Sequence, residues 1–156
     1  MRVHIATDHA GLELSSHLIR HLAGAGYEVV DHGPSEYDAE DDYPQFCINA
    51  AQAVVDDQAA GVPALGIVLG GSGNGEQIAA NKVRGIRAAL AWNLDTARLA
   101  RQHNDANVVA VGGRQHTVEE ATAIIEAFLA EPFSNAERHV RRIGQIARYE
   151  TTGSAV

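Results

Sequence analysis

The sequence predicts a single three-layer α/β/α domain, a five-stranded parallel sheet covered by helices on both faces. Short apolar runs alternate with longer amphipathic stretches along the whole chain. Each apolar run ends in glycine or a polar turn, as strands feeding crossover helices do. The length, 156 residues, suits one domain with a buried core.

Residues 3–6 form the first strand. Residues 12–23 place Leu14, Leu18, Ile19 and Leu22 at helical spacing, and Gly24 and Gly26 end that helix. A second strand, 27–31, leads into a loop at 32–43 that carries Glu36, Asp38, Glu40, Asp41 and Asp42 and reads as solvated. Pro44 opens a helix through residue 56. A third strand at 65–69, a glycine loop at 70–75 and a short helix at 76–81 follow. The fourth strand is 88–92, with a helix at 95–103 behind it. The fifth is 108–111, closed by Gly112 and Gly113. Thr117-Val118-Glu119-Glu120 has capping-box spacing and starts a helix to about residue 130. Pro132 interrupts the chain, and 135–149 is the last helix. Residues 1–150 thus make the domain, with 134–150 its C-terminal helix, and 151–156 a flexible tail.

Composition removes several classes of function. The net charge of −8 argues against a nucleic-acid or anionic-membrane binder. No apolar run reaches the roughly 18 residues of a membrane helix, and the N-terminus reads as a strand rather than a signal sequence. A lone cysteine, Cys47, gives no disulfide framework and no cysteine-based zinc site, so the reducing cytoplasm is the expected compartment.

Right-handed crossovers and chain length favour the Rossmann-like strand order 2-1-3-4-5, whose switch point lies between strands 1 and 3. The two most unusual polar segments, Asp8-His9 and the loop Gly70-Gly71-Ser72-Gly73-Asn74-Gly75-Glu76, end those two strands. The loop fits no nucleotide motif well. The dinucleotide fingerprint wants glycine where Glu76 stands, and the P-loop wants lysine there. An anion-binding loop beside a carboxylate suits proton abstraction next to a carbonyl, with backbone N–H groups holding the enediolate oxygen. Glu76 would equally suit the first turn of a helix.

Other polar residues carry similar double readings. Asp8 either serves as acid or base or caps the following helix. His103 either moves a proton or decorates a helix C-terminus. Arg114 lies on the functional rim of the sheet. In the last helix Ala136, Val140, Ile143 and Ala147 share one stripe and Arg138 and Arg142 the opposite side, a basic face that either suits a small phosphate ligand or is simply a solvated helix face. His17 and His21 lack a third ligand and read as an exposed pair, and Cys47 as buried and inert.

Six segments together resemble the type B ribose-5-phosphate isomerases and their relatives acting on galactose 6-phosphate, allose 6-phosphate and tetrulose phosphates. They are Ala6-Thr7-Asp8-His9-Ala10-Gly11, Asp42-Tyr43-Pro44, Gly71-Ser72-Gly73-Asn74-Gly75, Ala79-Ala80-Asn81-Lys82, Arg101-Gln102-His103-Asn104 and Gly112-Gly113-Arg114. The resemblance implies an aldose–ketose isomerase working through an enediolate, with no metal and no organic cofactor. It implies that Asp8 and His103 assist ring opening. One branch of the family carries a catalytic cysteine just before the glycine loop; Gly70 stands here, so the chain is similar instead to the branch that uses a glutamate, Glu76. Ser72 and the amides of Gly71, Gly73, Asn74 and Gly75 would hold the enediolate. His9, Arg114, Arg138 and Arg142 match phosphate-side residues, and Asn104 a sugar-hydroxyl contact. The resemblance further implies a homodimer with shared active sites, or a higher oligomer built from it, and no nucleic-acid or membrane partner. The same residues would also suit another sugar phosphate, or a non-catalytic phosphate-sensing module on the same sheet.

Overall fold

The computed structural model describes residues 1–154 and contains the expected α/β/α architecture. In chain order the elements are β1 (Arg2–Thr7), a 3₁₀ turn (His9–Gly11), α1 (Leu12–Gly24), β2 (Glu28–Asp31), α2 (Tyr43–Ala59) and β3 (Ala64–Gly70). They continue with α3 (Asn74–Ala80), β4 (Ala88–Leu90), α4 (Leu94–Asn104), β5 (Val108–Gly112), α5 (Val118–Ala130) and α6 (Glu137–Thr152). No helix among the described residues is long and apolar enough to cross a membrane.

All strand pairs are parallel. The order is β2-β1-β3-β5-β4, which corrects the expected 2-1-3-4-5 by exchanging the last two strands. The reason is burial. Every residue of β5 is buried, so this strand takes an inner position with both faces covered. β4 has only three residues, two of them half-exposed, and suits the edge. It ends before Trp92 because Asn93 turns the chain into a capping box with Thr96.

Alternation along the central strands feeds two cores. Ile5, Ile67 and Val109 face Leu14, Leu18 and Leu22 of α1, Ala97 of α4 and Ile125 and Phe128 of α5. Ala6, Val68 and Ala110 face Cys47, Ala50, Ala51 and Val54 of α2 and Ala79 and Ala80 of α3. A fully buried Phe128 or Leu18 contributes on the order of 1.5–3 kcal/mol. The Thr117 capping box forms as expected at the start of α5.

α6 departs from expectation twice. It runs two residues into the expected tail before Gly153 caps it at φ 74°, and residues 155–156 lie outside the described ones. Its apolar stripe does not face its own core: Val140, Ile146 and Tyr149 are exposed, and the buried residue is His139.

Candidate active site

The corrected strand order seats β5 beside β3, so the loop after β3 lies between the ends of β1 and β5. The Gly113 N–H donates to Gly70 O at 2.8 Å and the Arg114 N–H to Gly71 O at 3.2 Å. Arg114 thereby leans over Gly71, close enough that a β-carbon there would touch it. Gly73 precedes α3 at φ 82°, with the end of β5 and Leu90 packed where a side chain would project. Ser72 Oγ accepts the Asn74 N–H at 3.3 Å. The N–H groups of Ser72 and Gly75 have no acceptor among the described residues. A groove lined by Ser72, Asn74, Leu90, Trp92, Gly112, Gln115 and His116 runs beside the loop.

Glu76, in the first turn of α3, turns inward and is 4% exposed. Its carboxylate fills the space that a side chain on Gly70 would need. Burial pushes its pKa up, backbone N–H groups at Glu76 and Gly73 pull it down, and the nearby Asp8 pushes it further up. Asp8, at the end of β1, is also buried; its Oδ1 accepts the Ala10 N–H at 2.9 Å and caps the 3₁₀ turn. The structure shows the capping role of Asp8, and it also sets this carboxylate near that of Glu76. Two acids in one crevice, one with a raised pKa, form an acid–base pair of the kind proton transfer requires. Tyr43 packs against Gly75 at the same spot.

His9 follows Asp8. Its ring Nδ1 lies 2.6 Å from Asp41 Oδ1, and its backbone N–H donates to the same oxygen at 3.1 Å. The ring of Tyr37 stands edge-on to it at 6.2 Å. Asp8, His9 and Asp41 bring ligand-type atoms within 4.8 Å of one another, but His9 and Asp41 are already hydrogen-bonded together. The acidic loop is therefore solvated as expected except at Asp41, whose side chain is only 7% exposed.

The remaining candidates lie elsewhere. His103 and Asn104 end α4 at the amino edge of the sheet, where Arg87, just before β4, donates from Nε to Asn104 O at 2.8 Å. The seven residues of β3 at about 3.3 Å each put roughly 20 Å between this edge and Glu76. α6 brings a basic group there. The His103 and His139 rings are 4.4 Å apart, and Arg138 Nε donates to His139 Nε2 at 3.2 Å. Burial, His103, Arg138 and Arg142 in that order lower the pKa of His139. Arg138 and Arg142 are exposed and make no ion pair among the described residues.

Within one chain the structure gathers Asp8, His9, Gly71, Ser72, Gly73, Asn74, Gly75, Glu76 and Arg114 at one edge. It leaves His103, Asn104, Arg138 and Arg142 at the other. Asp41, Tyr43 and His139 are additions. Tyr43 carried a signal in its position between an acidic loop and Pro44, whereas Asp41 looked like its four acidic neighbours. Cys47 is buried as expected; burial, then Glu76 and Asp8, push its thiol up to about 12. His17 and His21 stack at 5.7 Å, and His21 pairs with Glu126 at 2.7 Å.

A profile of the ribose/galactose isomerase family matches residues 3–146. The ribose-5-phosphate isomerase B of Mycobacterium tuberculosis is 57% identical over 155 residues, covering 99% of this chain and 93% of that protein. The enzyme of the same name from Mycolicibacterium paratuberculosis is 56% identical, covering 99% and 95%. A solved structure of Mycoplasma genitalium ribose-5-phosphate isomerase B with bound ribulose-5-phosphate is 42% identical, covers 97% of each chain and superposes with a TM-score of 0.90.

Proposed function

The chain belongs to the ribose/galactose isomerase family, and from that premise we propose that it interconverts ribose 5-phosphate and ribulose 5-phosphate, with Glu76 as the base. It is an aldose–ketose isomerase. Glu76 takes the proton from C2 of the open-chain aldose, the electron pair forms the enediolate double bond with the charge on O1, and as the proton returns at C1 the O2 hydroxyl passes its proton to O1, leaving the carbonyl at C2. Ser72 and the loop amides from Gly71 to Gly75 hold the oxygen on which charge develops, each well-placed donor contributing about 2.7–4 kcal/mol. Asp8 handles the ring-opening proton, and His9 and Arg114 face the phosphate. A second copy of the chain supplies the rest: His103 of the partner subunit for ring opening, Asn104 of the partner subunit for a sugar hydroxyl, and Arg138 and Arg142 of the partner subunit for the phosphate. The chemistry uses carboxylate, imidazole and amide groups throughout and calls for neither metal nor organic cofactor. A cytoplasmic homodimer is the form in which this reading operates.

The observation that carries the proposal is the buried Glu76 carboxylate beneath Gly70, facing Asp8 and bordered by loop amides. A raised pKa makes it a stronger base than a surface carboxylate once ionised. Glu76→Gln is expected to lower kcat by about 10²–10⁴-fold while ribose 5-phosphate binding, read by calorimetry, stays within about threefold. Full turnover in that variant would reject the assignment. The same assay on four- and six-carbon sugar phosphates tests the substrate, with the five-carbon sugar expected to turn over fastest.

A further inference from the structure

We propose that Asp41 is a positioning residue for His9, acting through the ring to present its Nε2 to the substrate phosphate. The inference rests on the reading of His9 as a phosphate-side group. Of the five carboxylates in the loop after β2, Glu36, Asp38, Glu40 and Asp42 are exposed, and only the Asp41 side chain is buried. Its hydrogen bonds come from His9, whose backbone N–H and ring Nδ1–H both donate to Oδ1, at 3.1 and 2.6 Å, while a carboxylate oxygen of Asp8 lies within 4.8 Å. Its Oδ2 is buried with no hydrogen-bond partner among the described residues. A buried carboxylate placed only to tie down a loop would be expected to satisfy both oxygens, since an orphan forfeits its hydration.

The contact fixes chemistry as well as position. A carboxylate only accepts, so Nδ1 carries the hydrogen and Nε2 is the ring atom left for a ligand. The ring of Tyr37 stands edge-on to that of His9, with centroids 6.2 Å apart. The groups that face His9 are then Asp8 beside it in the chain, Asp41 below it and Tyr37 at its edge. Electrostatics alone predicts the reverse of the positioning role. A negative charge near a phosphate site weakens anion binding, so deleting it should tighten binding. The sign of the effect therefore separates the two accounts.

The test is steady-state kinetics with ribose 5-phosphate on wild type, Asp41→Ala, Asp41→Asn, His9→Ala and the double variant Asp41→Ala/His9→Ala. Asp41→Ala is expected to raise KM about 10-fold with kcat within about twofold, the loss of one charge-assisted hydrogen bond. Asp41→Asn keeps an acceptor at Oδ1 and should remain within about threefold of wild type. The double variant should be no worse than His9→Ala, since Asp41 acts only through that ring. A KM that is unchanged or lower in Asp41→Ala, or an additive double variant, overturns the proposal. Should Asp41→Ala fail to fold, ¹⁵N spectra of the wild-type histidines decide: His9 protonated at Nδ1 in its neutral form supports the role, and protonation at Nε2 overturns it. A wild type without turnover would defeat the isomerase assignment instead, leaving the spectra to decide the role of Asp41.

Discussion

Gly70 and Glu76 compete for one volume. The Glu76 carboxylate lies where the β-carbon of any other residue at 70 would project. A nucleophilic or basic side chain at 70 and an inward carboxylate at 76 are therefore alternatives, and this chain holds the second. Gly70→Ala tests the point with a single methyl group. β3 should tolerate alanine as a strand residue, because Gly70 already pairs with Gly112 in extended conformation. The carboxylate must move by about the size of that methyl, and a displacement near 1 Å can reduce turnover about 100-fold. Gly70→Ala is thus expected to lose about two orders of magnitude in kcat while its thermal midpoint stays within a few degrees. A variant with unchanged kcat would mean that the carboxylate does its work elsewhere.

At the scale of elements, the amino edge of β1 is fastened to α2 and β2 by a polar chain. Arg2 donates to both oxygens of Asp57 at 2.7 and 2.9 Å and pairs with Glu28 at 2.8 Å. The buried His4 links Asp57, 2.8 Å from its Nε2, to His32, 2.9 Å from its Nδ1. Burial first and His4 second lower the pKa of His32 below its ordinary value. A base with a lowered folded-state pKa binds protons more readily when unfolded, so its contribution to stability is complete above about pH 6.5 and is lost as pH falls below that. His139, shifted the same way, adds to the trend. Asp57 is shifted down, so its loss comes only in stronger acid, outside this window. The urea midpoint is expected to be lower at pH 5.5 than at pH 7.5, with a smaller difference in His32→Gln. An equal difference in that variant would remove His32 from the account.

The elements themselves were legible because their signals are local. Leucine spacing gave α1, the Thr117 box gave α5, and Asp8-His9 and the glycine loop marked the ends of β1 and β3 as the place of the candidate site. The order of β4 and β5 was not, since neighbours in a parallel sheet are chosen by burial on both faces rather than by chain proximity. The all-apolar run of β5 against the short β4 was the available clue. Helical period marked the arginines of α6 as one face, but not the end of the sheet at which that face lies. Asp41 was hidden because nothing in an acidic run tells which carboxylate turns inward.

At the scale of the whole molecule, the two groups of site residues cannot meet within one chain, because the length of the central strands separates them. Helix α6 carries the two arginines of the second group while exposing Val140, Ile146 and Tyr149, an apolar face that its own core leaves uncovered. In the proposed two-fold dimer the basic group of each copy serves the glycine loop of the other, which makes two equivalent sites. The arrangement has a quantitative consequence. On the proposed reading Glu76→Gln removes the base from one side of a site, and Arg138→Ala with Arg142→Ala removes two phosphate contacts from the other, each worth about 1.5–3 kcal/mol. Homodimers of either variant contain only defective sites. When the two are refolded together, about half the dimers are mixed, and each mixed dimer has one site with all groups intact and one with every substitution. Activity at low substrate should therefore rise from near zero to about one quarter of the wild-type value. If each site were built from one chain, mixing would combine two defective proteins and recover nothing, so a flat result would show that the arginines of α6 serve some purpose other than the neighbouring site.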